Sequence, residues 1–234
     1  MKIVTWNMRW GGSEETWQYL VDEIAPDLAF LQEAHPPSKY AGESLLYQRI
    51  PRDNYRWGSA IYSPRLSVRE RMVTGHEGWV VAGEVTLSNG AHVVVVSIYG
   101  SLIANPKAGY VFPNLANLFQ HDLQPLLAGK EFILGGDLNA SRLFDKVYPN
   151  AYASDAHGDF FDWIESHGFV NCHKMFHETE EQTVFTPQTK HPYQNDYLFV
   201  SEGLRPFVTS CYVLNNSETL KLSDHIPVVL ELDV

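Results

Sequence analysis

Short apolar runs that meet polar residues recur along this chain, and they constrain it to a fold built on buried strands. Phe132-Ile133-Leu134 leads into Gly135-Gly136-Asp137-Leu138-Asn139. A short apolar run bounded by glycines reads as a buried strand. In extended backbone, positions i and i+2 face the same side, so Asp137 and Asn139 project together, and the paired glycines let a substrate approach the backbone. Ile3-Val4-Thr5-Trp6 ends in Asn7, and Leu28-Ala29-Phe30-Leu31-Gln32 ends in Glu33. Ser223-Asp224-His225 directly precedes Ile226-Pro227-Val228-Val229-Leu230, and Asp196 lies within Asn195-Asp196-Tyr197-Leu198-Phe199-Val200. Ligands of α/β proteins gather where strands end. Together these residues would form an oxygen-rich site suited to a hard divalent cation such as Mg²⁺.

Taken in order, Thr5-Trp6-Asn7, Leu31-Gln32-Glu33, Gly136-Asp137-Leu138-Asn139, Asn195-Asp196-Tyr197 and Ser223-Asp224-His225 resemble the signature of the endonuclease/exonuclease/phosphatase superfamily. That group includes DNase I-like nucleases, exonuclease III-type abasic-site endonucleases, sphingomyelinases and inositol polyphosphate 5-phosphatases. The resemblance runs from residue 5 to residue 225. It implies a DNase I-like α/β (α+β) four-layer sandwich, with two mixed β-sheets face to face, helices outside and the site across one edge.

Periodicity by itself supports a strand-rich α+β or α/β sandwich. Ser13 is a candidate N-cap for a helix over Glu14–Ile24, with Trp17, Leu20, Val21 and Ile24 on one face, ended by Pro26. Residues 34–57 read as a loop-rich segment and Gly58–Tyr62 as a strand. Trp79–Leu87 and Ala91–Tyr99 flank Ser88-Asn89-Gly90, a hairpin signal. Helical periodicity covers 114–128 and Gly158–His167. Thr183–Thr186, Tyr193–Val200, Phe207–Leu214 and Ile226–Val234 complete the strands. No repeat or linker divides the 234 residues, so one domain over 1–234 is expected.

The balance of 17 Lys and Arg against 28 Asp and Glu gives a net charge of −11, which argues against tight, non-specific binding to long nucleic acid. A bound metal and a local basic patch can reverse the sign where phosphate sits. Six of the 17 basic residues fall within 49–71, interleaved with Tyr47, Tyr55 and Trp57. Such a segment either stacks on bases and pairs with phosphates or caps the core as a solvated loop. Cys172 and Cys211, without metal-ligand spacing, read as reduced thiols. Met1-Lys2 runs straight into the first strand, and no apolar stretch is long enough to span a bilayer. A cytoplasmic protein without stable membrane association is expected.

Glu33 is the first candidate metal ligand, because a carboxylate closing an apolar run is costly unless paired or metal-bound. The resemblance adds Asn7 and Asp224 to the metal site. It also casts Asp137 as the group that activates water, Asn139 as a donor to developing phosphoryl charge, and His225 on the scissile phosphate with Asp196 fixing its tautomer. Arg9 stands where some abasic-site enzymes carry a further acid. Tyr99 matches the exonuclease III and abasic-site branch, where a phenol could bond a phosphate oxygen or assist the leaving group; packing alone would also explain it. Gln182–Pro187 leads towards Asp196 and is a candidate lining of the site. The remaining histidines, including His157, His173 and His191, are expected to have no shared role.

The leading expectation is therefore a Mg²⁺-dependent phosphodiesterase, with Mn²⁺ able to substitute, that cuts DNA or RNA, as an endonuclease. The alternative keeps the chemistry on a small phosphodiester, phosphoinositide or phospholipid head group. A catalytically dead binding module is the third reading, and the filled polar positions argue against it. Substrate choice would reside in residues 34–57, 100–113 and 140–156. The sequence leaves oligomeric state open.

Overall fold

A computed structural model describes residues 1–42, 44–100, 112–147, 156–187 and 189–234. Two six-stranded mixed sheets carry the fold. The first holds β1 (Lys2–Gly11), β2 (Leu28–Ala34), β3 (Leu45–Arg49), β4 (Gly58–Tyr62), β11 (Val208–Val213) and β12 (Val228–Leu232), in the order β11-β12-β1-β2-β4-β3. The second holds β5 (Arg69–Arg71), β6 (Val80–Thr86), β7 (His92–Tyr99), β8 (Glu131–Asp137), β9 (Phe169–Asn171) and β10 (Asp196–Ser201), in the order β5-β6-β7-β8-β10-β9.

Alternation along the strands sorts side chains into layers. Ile3, Phe30, Ile61, Val81, Val95, Ile133, Leu198 and Val228 form the core between the sheets. The neighbours Val4, Trp6, Ala29 and Leu31 face outward, onto Trp17, Leu20 and Ile24 of the first helical segment. The outer face of the second sheet packs Val94, Val96 and Leu134 against Phe119, Phe160 and Phe161. Every face of both sheets is thus covered, as the four-layer expectation requires.

The helix over Glu14–Ile24 begins as expected. Ser13 caps it with a reciprocal capping box to Thr16, and α1 (Glu14–Gln18) continues as a π-helical stretch, Tyr19–Ile24. Further helices are α2 (Phe112–Asn117), α3 (Gln124–Leu127), α4 (Arg142–Val147), α5 (Ala156–Ser166) and α6 (Thr219–Leu222). Among the described residues, no helix is long and apolar enough to cross a membrane.

Three strands were not legible. β3 lies inside the supposed loop over 34–57, and β5 and β9 are three-residue edge strands. Conversely, Thr183–Thr186 makes only an isolated bridge, Val184 to His225. Its backbone bonds are divided between two neighbours: Thr183 N donates to Tyr193 O, and Phe185 N donates to Asp224 O. Of the expected specificity loops 100–113 and 140–156, residues 101–111 and 148–155 lie outside the described residues.

Gly136 lies where β8 meets β7, and a Cβ there would overlap the Ile98 carbonyl. Overfilling so close a contact costs about 1–3 kcal/mol. Gly136→Ala is expected to lower Tm by several degrees in a thermal melt, and an unchanged Tm would contradict this packing.

Candidate active site

Strand register assembles the site. β7 and β8 run parallel and pair Tyr99 with Asp137, while β10 runs antiparallel to β8 and pairs Asp196 with Asp137. Three polar side chains therefore sit in one row at the end of the second sheet. In the first sheet β1 and β2 are parallel and pair Asn7 with Gln32, next to Glu33.

The two sheets join through side chains at this edge. Asn7 Nδ2 donates to Asp137 Oδ2 at 2.9 Å and lies 3.4 Å from Glu33 Oε1. The Tyr99 hydroxyl donates to Glu33 Oε1 at 2.8 Å. Deeper in, Gln32 Nε2 donates to Ser97 Oγ at 3.1 Å.

His225 Nδ1 is 2.9 Å from Asp196 Oδ2, and its Nε2 lies 3.8 Å from Asp137 Oδ2. The imidazole is held from its backbone as well. Trp6 Nε1 donates to His225 O at 2.9 Å, and the Ser223 hydroxyl donates to Asn7 O while accepting from His225 N. Asp196 Oδ1 is buried and has no hydrogen-bond partner.

This geometry perturbs the titration of both partners. Burial disfavours the ionised Asp137 carboxyl, whose pKa is pushed up to about 7; the His225 charge opposes that rise and the Asp196 charge adds to it. Burial also disfavours the His225 cation, but the Asp196 and Asp137 carboxylates more than offset this and raise its pKa to about 10. Burial, then the Glu33 and Asp137 charges, hold the Tyr99 phenol far above its ordinary range, so it acts as a neutral donor.

Arg9, Trp10, Glu33 and Asn139 have φ between +47° and +52°. Non-glycine residues held in this region mark places where surrounding structure over-determines the backbone. Their contacts show how: Arg9 N donates to Asn7 Oδ1, Trp10 N to Glu33 Oε2, and Asn139 N to Asp137 Oδ1. The Asn139 amide donates to Gly100 O at 3.0 Å, tying β8 to the end of β7.

Asn7, Tyr99 and the Trp10 backbone donate to Glu33 and all are neutral, so its charge has no counter-ion among the described residues. With the Asn7 carboxamide oxygen alongside, this hard-oxygen donor set fits a magnesium-class cation. Asp224 is differently engaged: its Oδ2 lies 3.7 Å from Arg9 Nε. The structure thus gathers Asn7, Glu33, Tyr99, Asp137, Asn139, Asp196 and His225, while Asp224 stands against Arg9.

Several features were not anticipated. Trp10 is 71% exposed beside Glu33, with the Arg9 guanidinium 4.9 Å from its ring centroid. Trp79 stacks on Tyr99, with centroids 5.3 Å apart. The basic segment over 49–71 is partly neutralised within the fold, since Arg65 pairs with Asp27, and Arg69 and Arg71 both pair with Glu84. Gln182–Pro187 does reach the site: Thr183 Oγ1 accepts from Asp196 N, and Val184 bridges to His225. His173 was expected to stand apart, yet it stacks on His177 beside Glu181. The four-residue spacing of those histidines was the signal available. Cys172 and Cys211 are free thiols, and both are buried.

A model of the Endonuclease/Exonuclease/phosphatase family matches residues 4–225. No curated protein matches by sequence. Solved structures that share the fold include an AP endonuclease from Archaeoglobus fulgidus, with TM-score 0.73, 20% identity and full coverage of both chains. The AP endonuclease LMAP from Leishmania major has TM-score 0.74 and 15% identity, covering 100% of this chain and 87% of that one. A variant of the 3' phosphatase NExo from Neisseria, bound to product DNA hairpin, has TM-score 0.73 and 20% identity over both full chains.

Proposed function

Since the chain belongs to the endonuclease/exonuclease/phosphatase family, we propose that it is a Mg²⁺-dependent phosphodiesterase that cuts nucleic acid, as an endonuclease, and acts in the cytoplasm as one domain over 1–234. The observation that carries this reading is the buried line Asp196–His225–Asp137, linked across the sheets to Glu33 through Asn7. The likeness to AP endonucleases and to a DNA-bound 3' phosphatase supports nucleic acid as the substrate class.

In this reading Asp137 takes the proton of the attacking water. A carboxylate desolvated to a pKa of about 7 is a stronger base than an exposed one and still ionises near neutrality. Asp196 keeps His225 protonated, so its Nε2–H faces a phosphoryl oxygen as negative charge accumulates. Asn139 positions Asp137 through its backbone N–H, and Tyr99 orients Glu33. Glu33 and Asn7 would hold the cation, with Asp224 joining when released from Arg9. A bound Mg²⁺ supplies positive charge against the phosphoryl oxygens, and Mn²⁺ substitutes for it.

The test is cleavage of supercoiled plasmid, single-stranded DNA, RNA, abasic duplex and bis-p-nitrophenyl phosphate, each with Mg²⁺, Mn²⁺ or EDTA. Cutting of a polymer that EDTA reduces to background is expected. Turnover of the small diester alone would move the substrate to a small phosphodiester, and full activity in EDTA would remove the metal from the proposal.

A further inference from the structure

We propose that His173, His177 and Glu181 form a second metal site, selective for a transition metal of the zinc class and separate from the phosphodiester site. One ligand atom from each of the three lies within 4.8 Å of the others. His173 Nε2 and Glu181 Oε2 are 3.5 Å apart. Four-coordinate zinc, with bonds of about 2.0–2.2 Å, sets its ligand atoms roughly 3.4 Å from one another. That pair therefore already stands close to the separation a shared ion imposes.

Two further observations point to a ligand. The His173 side chain is 3% exposed and its buried Nε2 has no hydrogen-bond partner, although it faces a carboxylate. Leaving such a nitrogen unmatched is unfavourable unless something occupies the gap. His177 Nε2, in turn, lies 2.9 Å from the Cys211 carbonyl and donates to it, leaving Nδ1 as the lone-pair nitrogen. A metal-binding histidine characteristically donates its other N–H to a carbonyl in this manner.

The imidazoles stack with centroids 4.2 Å apart and planes inclined by 15°. Two parallel rings cannot both aim a lone pair at one ion, so binding tilts the His177 ring out of the stack about its Nε2–H bond to the Cys211 carbonyl, which is kept. A cavity of about 290 Å³ beside both histidines, lined also by Arg142, Lys146, Lys174 and the carboxylates Glu178 and Glu180, gives it room. Two imidazoles and one carboxylate suit zinc, cobalt or nickel, whereas Asn7 and Glu33 offer only oxygen. Glu181 N donates to Gln194 Oε1, and Gln194 Nε2 donates to Asp196 O, so an ion here would also brace the segment that supports Asp196.

Co²⁺ is the probe, added to EDTA-stripped protein in excess Mg²⁺ so that the oxygen site is occupied. One equivalent should give the intense visible bands of four-coordinate cobalt and raise Tm. Both effects should be lost in His177→Ala and Glu181→Ala, whose side chains are partly exposed, and in His173→Ala, and be retained in Glu33→Gln. Absence of the bands in the unaltered protein, their persistence in all three ligand variants, or their loss in Glu33→Gln alone would overturn the assignment.

Discussion

Asp137→Asn is expected to lower kcat by about 10²- to 10⁴-fold, the range for loss of a positioned general base. The carboxamide keeps the shape, but its single oxygen can accept from only one of Asn7 and Asn139, which now bond the two carboxylate oxygens, and its NH2 faces the other donor. It cannot take a proton from water. Stability should move the other way. The folded-state pKa is raised from 3.8 to about 7, so the native protein binds the extra proton over that interval and loses stability as pH rises through it. Asparagine removes that loss, so the Tm gain over the unaltered protein should grow between pH 4 and pH 7. Activity within tenfold of the unaltered enzyme would remove Asp137 from the chemistry.

His225→Ala is expected to cost about 10²- to 10³-fold in kcat through lost stabilisation of the transition-state charge. It also leaves Asp196 buried without its cation, and breaking a buried pair from one side costs roughly 3–5 kcal/mol. The double variant His225→Ala/Asp196→Asn should recover much of that stability and none of the activity. Recovery of activity instead would show that His225 serves only to neutralise Asp196. The sign with pH follows from a base whose folded pKa is raised from 6.5 to about 10. Its stabilisation is complete below 6.5 and is lost as pH rises through about 10. The rate should climb as Asp137 ionises near 7 and fall as His225 loses its proton near 10, and Asp137→Asn should abolish the lower limb alone.

Much of the candidate site was legible because Glu33 and Asp137 come at the ends of buried apolar runs and Asn7 follows one within β1. Local pattern carries that information. It does not carry pairing between distant residues, so the Arg9–Asp224 contact and the Tyr99–Glu33 bond could not be read. Nor could the left-handed backbone at Glu33, since nothing in Leu31-Gln32-Glu33 distinguishes it from ordinary strand. β5 and β9 are too short for alternation to register, and β3 lacks it: Leu45, Leu46, Tyr47 and Gln48 are all only partly buried. The arginines of 69–71 looked available to phosphate because Glu84, their partner, lies on the next strand.

The bonds that seat His225 join residues 219 and 216 positions apart, Trp6 to His225 and Ser223 to Asn7. Contacts of such high sequence separation form late and slow folding, because a long loop must close before they are rewarded. A chain emerging from the ribosome would carry Asn7, Glu33, Asp137 and Asp196 long before His225 and β12 arrive to complete the first sheet. In any nascent chain that stops short of His225, the buried Asp196 carboxylate would therefore lack its imidazole partner.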